Sequence, residues 1–204
     1  MKAVFFDIDG TLTGTKSGAK FKENSDDIKV MEGAESGLNG LSSRGYKLFG
    51  VSNQGGVAAG HKSLDQAIQE MRNTHELLPQ LELICFCPDY EGKVIYEVNH
   101  FEYRDFMRNQ LIDRKAEIPN TLLFDSFRKP SPGMLQKIIH DWNLQSVEKW
   151  MVGDRTEDQQ AAHAAGINFM WADTFLSRFT KGMQQMSVTP RQLEFLEGIK
   201  LPSN

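Results

Sequence analysis

Cysteine, excess basic charge and long apolar runs are all scarce in this 204-residue chain, which has two cysteines and a formal net charge of -4. Cys85 and Cys87 stand one residue apart, poorly placed to bridge each other, so no disulfide framework is indicated. Sparse thiols fit a reducing compartment, and a cytoplasmic location is expected. The acidic balance, 23 Lys and Arg against 27 Asp and Glu, gives no general pull toward nucleic acid or an anionic membrane. A local basic patch stays open. No apolar run approaches the length of a bilayer span, and the amino terminus has no signal-peptide pattern, so no membrane partner is expected. With 40% hydrophobic and 25% charged residues, the composition is that of an ordinary globular protein. The length suits one domain, 1–204, better than two. There is no internal repeat and no low-complexity segment. Oligomeric state is not readable.

What is present is concentrated at the start. Ala3 to Phe6 is apolar and bounded by Gly10, the pattern of a short buried strand. Asp7 and Asp9 follow it. Residues i and i+2 of an extended chain point the same way, so both carboxylates lie at the carboxyl end of that strand. In open parallel sheets that end is where ligands bind. Crowded carboxylates repel unless a cation or shared proton relieves them, and Mg2+ takes oxygen ligands while leaving positions for phosphate. The alternative is a solvated turn in which both residues cap the next segment.

Strands and helices then alternate. Residues 14–29 are polar and read as a loop or flap, made locally basic by Lys16, Lys20 and Lys22. A solvated loop is the default there. A helix is predicted from Gly33 or Ala34 to Arg44, and a second strand from Tyr46 to Val51. Ser63 caps a helix running to about Leu78. Leu81 to Cys87 is a third strand. Residues 88–119 form a small insert, with a hairpin expected over Lys93 to Val98 around Gly92 and a helix from about Glu102 to Arg114. Thr121 to Ser126 and Lys149 to Val152 read as strands. Helices follow from Pro132 to Trp142 and from Thr156 toward Gly166, then a strand from Ile167 to Trp171. Thr189 and Pro190 open a last helix. Alternation of this kind predicts an α/β fold, a Rossmann-like three-layer sandwich with a mostly parallel central sheet. The chain has no room for a large cap, only for the small insert.

Four strands end in polar clusters: Asp7 with Asp9, Ser52 with Asn53, Arg128 with Lys129, and Asp154 with Asp158. In one parallel sheet these clusters converge on one edge. Singly, each has a plainer reading. Ser52 is a helix cap, Lys129 a surface lysine, and Asp154 a cap for the helix from Thr156. Together they supply a nucleophilic carboxylate, a second carboxyl group to shuttle a proton, a metal site, a hydroxyl and a cation. Phosphoryl transfer needs that set, since it is largely positioning plus neutralisation of spread negative charge. A carboxylate nucleophile divides hydrolysis into two steps through an aspartyl-phosphate.

Asp7-Ile8-Asp9-Gly10-Thr11, Ser52, Lys129-Pro130 and Gly153-Asp154 with Asp158 resemble, in order, the four motifs of the haloacid dehalogenase (HAD) superfamily of phosphatases. The resemblance spans Phe5 to Asp158. Val51 to Gly56 (VSNQGG) and Arg128 to Met134 (RKPSPGM) resemble the subgroup that holds histidinol phosphatase, heptose bisphosphate phosphatase and the polynucleotide 3'-phosphatases. The resemblance implies that Asp7 is nucleophile and Mg2+ ligand, and that Asp9 is general acid and base and binds Mg2+ through its backbone carbonyl. It implies phosphate binding by Ser52 and Lys129, a Mg2+ site completed by Asp154, and support of that site or of Lys129 by Asp158. Asn53, a further phosphate-side residue, and Arg128 are candidates for substrate contact.

The sequence departs from that subgroup at its zinc loop. Cys87-Pro88-Asp89 stands where the pattern has Cys-x-His, and Asp125-Ser126-Phe127 carries no cysteine. Four ligands cannot be assembled, so structural zinc is not expected. The missing zinc loop and the open site favour a polymer, the acidic net charge a small substrate, and the first expectation is a Mg2+-dependent phosphatase acting on a small sugar or amino-alcohol phosphate. A nucleic-acid 3'-phosphate end is the alternative substrate, and Phe101, Tyr103, Arg104 and Phe106 are of the types that stack on a base. A non-catalytic binding module on the same fold is the alternative class, and Asp7→Asn separates it from an enzyme.

Overall fold

The computed structural model describes residues 2–99, 103–107, 126–180 and 187–199. Its centre is a seven-stranded sheet in the order β7-β6-β5-β4-β1-β8-β9. The strands are β1 (Lys2–Phe6), β4 (Tyr46–Asn53), β5 (Leu83–Cys87), β6 (Val94–Val98), β7 (Tyr103–Met107), β8 (Lys149–Gly153) and β9 (Asn168–Trp171). β1 pairs in parallel with β4 and β8, β4 with β5, and β8 with β9. Phe5 stands opposite Phe49 on one side and Met151 on the other.

Both faces of the sheet are covered. Val4, Phe6, Leu48 and Trp150 point into a core shared with helices α1 (Ala34–Ser42), α3 (Leu64–Leu77), α6 (Ala172–Ser177) and α7 (Pro190–Glu197). Ala3, Phe5, Phe49 and Met151 point the opposite way, against α4 (Gly133–Asp141) and α5 (Thr156–Ala164). This is the period-2 alternation of a strand buried on both sides, and it accounts for the near-continuous apolar sequence of β1. Ser63 and Thr189 cap α3 and α7, each in a reciprocal capping box with the Gln three residues on. A short helix, α2 (Gly55–Ala58), follows β4 directly. The fold is the expected three-layer α/β sandwich.

The flap hangs on a two-stranded neck, β2 (Thr13–Gly14) against β3 (Lys29–Val30). Asp27 staples it internally. Its carboxylate accepts from the Ser17 hydroxyl and backbone N–H, both at 2.7 Å, and from the Glu23 N–H at 3.1 Å. These donors, the Ser17 hydroxyl foremost, hold the Asp27 carboxyl down to about 2.

One expectation is overturned. The helix predicted from Glu102 does not begin there, because Tyr103–Met107 is strand β7, antiparallel to β6. β6 is itself antiparallel to β5 across a turn that contains Gly92, so the hairpin expected there forms, with β5 as its first strand. An open edge of β6 supplies unpaired backbone groups, and a run holding Tyr103 and Phe106 pairs with it readily. The predicted strand from Thr121 and the remainder of the predicted helix lie outside the described residues.

Candidate active site

Because β1, β4 and β8 are parallel neighbours, their carboxyl ends lie on one edge of the sheet. Asp7 follows the end of β1, Ser52 and Asn53 close β4, and Asp154 follows β8. Lys129 arrives from the loop before α4, and its peptide bond to Pro130 is cis. Its backbone is gripped by one side chain. The Asn53 amide donates to the Lys129 carbonyl at 2.8 Å and accepts from the Lys129 N–H at 3.0 Å. Asn53, expected to face phosphate, has both ends of its amide committed to placing Lys129.

The Lys129 ammonium lies 2.5 Å from Asp7 Oδ1 and 2.6 Å from Asp158 Oδ1, and donates to the Val51 carbonyl at 2.8 Å. Asp158 is the third residue of α5, and its other oxygen accepts from the Arg155 N–H at 3.1 Å. Its contact is therefore with Lys129. A Cβ on Gly153 would overlap the Asp158 side chain, so glycine is what lets that carboxylate sit over the end of β8. Gly10 serves Asp154 in the same way. Its φ is +92°, and a Cβ there would meet the Asp154 carboxylate.

Asp7, Asp154 and Asp158 each bring a ligand-type atom within 4.8 Å of the others. Carboxylate oxygens so grouped suit a hard cation such as Mg2+. The electrostatics agree with an unsatisfied negative site. Burial, reinforced by Asp158 and Asp9, pushes the Asp7 carboxyl up to about 7 even against the pull of Lys129. Burial and Asp158 also raise Asp154. Lys129 behaves oppositely, since Asp7 and Asp158 outweigh the cost of burial and hold it charged.

Asp9 has different company. Its Oδ1 is 2.5 Å from the Lys22 ammonium, and its Oδ2 accepts from the Gln54 amide at 2.7 Å. Burial works to raise this carboxyl, but Lys22, joined by Lys62 and Gln54, outweighs it and the net shift is downward. The Gln54 amide also donates to Ser52 Oγ at 2.9 Å. Sequence reasoning did not single out Gln54, and it named Lys22 only as part of a basic loop. Arg128 stands apart from the carboxylates, its guanidinium 5.1 Å over the exposed Tyr90 ring and donating to the Asp89 carbonyl at 3.5 Å. The arrangement can hold an anion between a carboxylate, a hydroxyl and a buried ammonium, with a second carboxyl group beside it.

No cysteine joins this site. Cys85 and Cys87 are buried and free. Burial lifts the Cys85 thiol well above its usual value and the Cys87 thiol up to about 12. Asp89, at the position of the missing histidine, instead accepts from the Lys93 and Val94 N–H groups at 3.1 and 3.0 Å. Among the described residues no helix is long and apolar enough to cross a membrane.

Residues 2–186 match the family described as polynucleotide kinase 3 phosphatase. The D-glycero-beta-D-manno-heptose-1,7-bisphosphate 7-phosphatase of Haemophilus ducreyi is 32% identical over 173 residues, covering 81% of this chain and 79% of that protein. The enzyme of the same name from Pasteurella multocida is 32% identical over 171 residues, covering 81% and 78%. Among solved structures, the D,D-heptose 1.7-bisphosphate phosphatase from B. bronchiseptica, complexed with magnesium and phosphate, superposes with a TM-score of 0.58. It is 21% identical, with 83% of this chain and 79% of that one covered.

Proposed function

Since the chain belongs to the polynucleotide kinase 3 phosphatase family, within the HAD superfamily of phosphoric monoester hydrolases, we propose that it is a Mg2+-dependent phosphatase of a small sugar phosphate, working through an aspartyl-phosphate. The observation that carries the reading is the buried Asp7 carboxylate beside the Lys129 ammonium, 2.5 Å away at the strand end. Asp7 attacks phosphorus, and the bond to the leaving alkoxide breaks as Asp9, which enters this step protonated, gives that oxygen its proton. Asp9 then takes a proton from water, which attacks phosphorus and releases inorganic phosphate and free Asp7. Lys129 and the Ser52 hydroxyl hold the phosphoryl oxygens, and Asp158 and Asn53 keep Lys129 in place. Asp7, Asp154 and the Asp9 carbonyl would hold Mg2+, whose charge offsets that of the transferring group. Arg128, stacked on Tyr90, is assigned to the part of the substrate beyond the scissile phosphate.

A sugar phosphate is preferred because the two relatives above act on a heptose bisphosphate by name. The test is release of inorganic phosphate from heptose and hexose phosphates, histidinol phosphate, nucleotides and a 3'-phosphorylated oligonucleotide, with and without Mg2+. Asp7→Asn is the blank. Mg2+-dependent release, fastest from a sugar phosphate, is expected. A preference for the oligonucleotide overturns the substrate, and no Mg2+-dependent release from any of them overturns the mechanism.

A further inference from the structure

Five side chains, the Asp9 carboxyl group among them, close a ring of polar contacts. Lys22 Nζ is 2.5 Å from Asp9 Oδ1 and 3.1 Å from Glu70 Oε1. Lys62 Nζ is 2.5 Å from Glu70 Oε2 and donates to Gln54 Oε1 at 2.9 Å. Gln54 returns to Asp9 Oδ2 at 2.7 Å. With Asp9 ionised, as it is after it has given up its proton, two carboxylates and two ammoniums make the ring neutral. Its members come from the flap, the end of β4, the loop before α3 and α3 itself.

Each member is heavily committed. Lys22, its side chain 4% exposed, spends a third hydrogen on Thr13 Oγ1 at 3.2 Å. Glu70 is buried, and a buried carboxylate is tolerated when both oxygens are met by charge, as they are here. Gln54 is buried and uses both ends of its amide. A lysine that merely tacked the flap down would need Glu70 alone. This one reaches past it to the carboxyl group that handles the leaving-group proton.

We propose that Lys22, locked by Glu70, is a positioning residue for Asp9, so that the flap is part of the proton-transfer apparatus rather than only a cover. The proposal rests on the phosphatase reading above. It makes a claim about leaving groups. An alkyl alcohol leaves poorly unless Asp9 delivers a proton, whereas a nitrophenolate leaves without one. Misplacing Asp9 therefore penalises the first far more than the second.

The test compares kcat/KM, which reports formation of the aspartyl-phosphate, for a sugar phosphate and p-nitrophenyl phosphate. In Lys22→Met the sugar phosphate should fall roughly 10- to 100-fold, part of what general acid catalysis supplies, and the aryl ester less than about threefold. Lys22→Arg should recover most of the loss. Glu70→Gln should show the same selectivity in weaker form, and it serves as the readout if Lys22→Met does not fold. Equal losses on both substrates, or none, would overturn the inference while leaving the phosphatase standing. Wild-type protein that releases phosphate from neither compound would remove the phosphatase reading, and this inference with it.

Discussion

Lys129 and Lys137 are both buried, at 4% and 1% exposure, and each ammonium lies between two carboxylates. Lys129 is 2.5 Å from Asp7 and 2.6 Å from Asp158, while Lys137 is 2.6 Å from both Glu97 and Asp141. Burial works against the charge of each, and the carboxylates outweigh it. Their positions differ. Lys129 sits at the carboxyl ends of parallel strands, next to an acid cluster with room for a cation. Lys137 projects from α4 to Glu97 on β6, beside Cys85, and ties the helix to the antiparallel extension. The composition of an ion triad does not mark a catalytic site. Its place on the sheet is what makes the first triad the candidate.

Removing one carboxylate from the first triad should have the largest effect. Asp7→Asn takes away the proposed nucleophile but leaves the Lys129–Asp158 pair, so charge balance in the pocket survives. Phosphate release should drop by at least about 10³-fold, with little change in Tm. Turnover within tenfold of wild type would mean that Asp7 is not the nucleophile. The second triad should respond the other way. Lys137→Met strands the Glu97 carboxylate beneath α4 and should cost about 3 kcal/mol of stability, seen as a lower urea midpoint. Activity per folded molecule should stay within about twofold. If Lys137→Met loses activity at full stability, the two triads are not functionally distinct.

The sequence made one of these regions legible and not the other, for a physical reason. Asp7, Ser52, Lys129 and Asp154 stand at the ends of apolar runs, where strand period and residue type together mark an edge of chemistry. The structure brings Asp7, Lys129, Asp154 and Asp158 together there. Lys137 and Glu97 carry no such mark, because a lysine on an amphipathic helix is ordinarily solvated. Lys22, Lys62 and Glu70 were hidden for the same reason. Their partners are 13, 8 and 48 residues away in the chain, and only tertiary packing joins them. β7 was missed because its identity depends on the free edge of β6, which local sequence does not encode.

Mg2+ should sharpen the contrast by stabilising the first region alone. Asp7 is raised to about 7, above the ordinary carboxylate value, so its ionisation weakens the fold as pH rises through that range. A bound cation reverses that penalty, and protons compete with it below about pH 7. At 100 times the dissociation constant Mg2+ should add about 2.7 kcal/mol at pH 8. Competition with a group of pKa about 7 should cut this to about 0.9 kcal/mol at pH 5.5. Thermal unfolding at the two pH values checks it. A shift of the same size at both, or one retained in Asp154→Ala, would place the cation elsewhere.

The smallest effect should come from Cys87, where zinc-bearing relatives of this subgroup would have a ligand. Here hydrogen bonds tie the turn. Asp89 accepts from the Lys93 and Val94 N–H groups, Phe127 N–H donates to the Gly92 carbonyl at 2.9 Å, and the Ser126 hydroxyl donates to the Glu91 carbonyl at 3.2 Å. With its thiol pushed up to about 12, Cys87 is not a thiolate at neutral pH and behaves as a small apolar side chain. Cys87→Ala should leave activity within about twofold and cost about 1 kcal/mol of stability, an ordinary loss for trimming a buried side chain. Chelation followed by Mg2+ alone should restore full turnover, and purified protein should hold no stoichiometric zinc. Recovery that requires Zn2+ would show that these hydrogen bonds do not suffice. The loops carrying Arg128 and Lys129 would then depend on a metal after all.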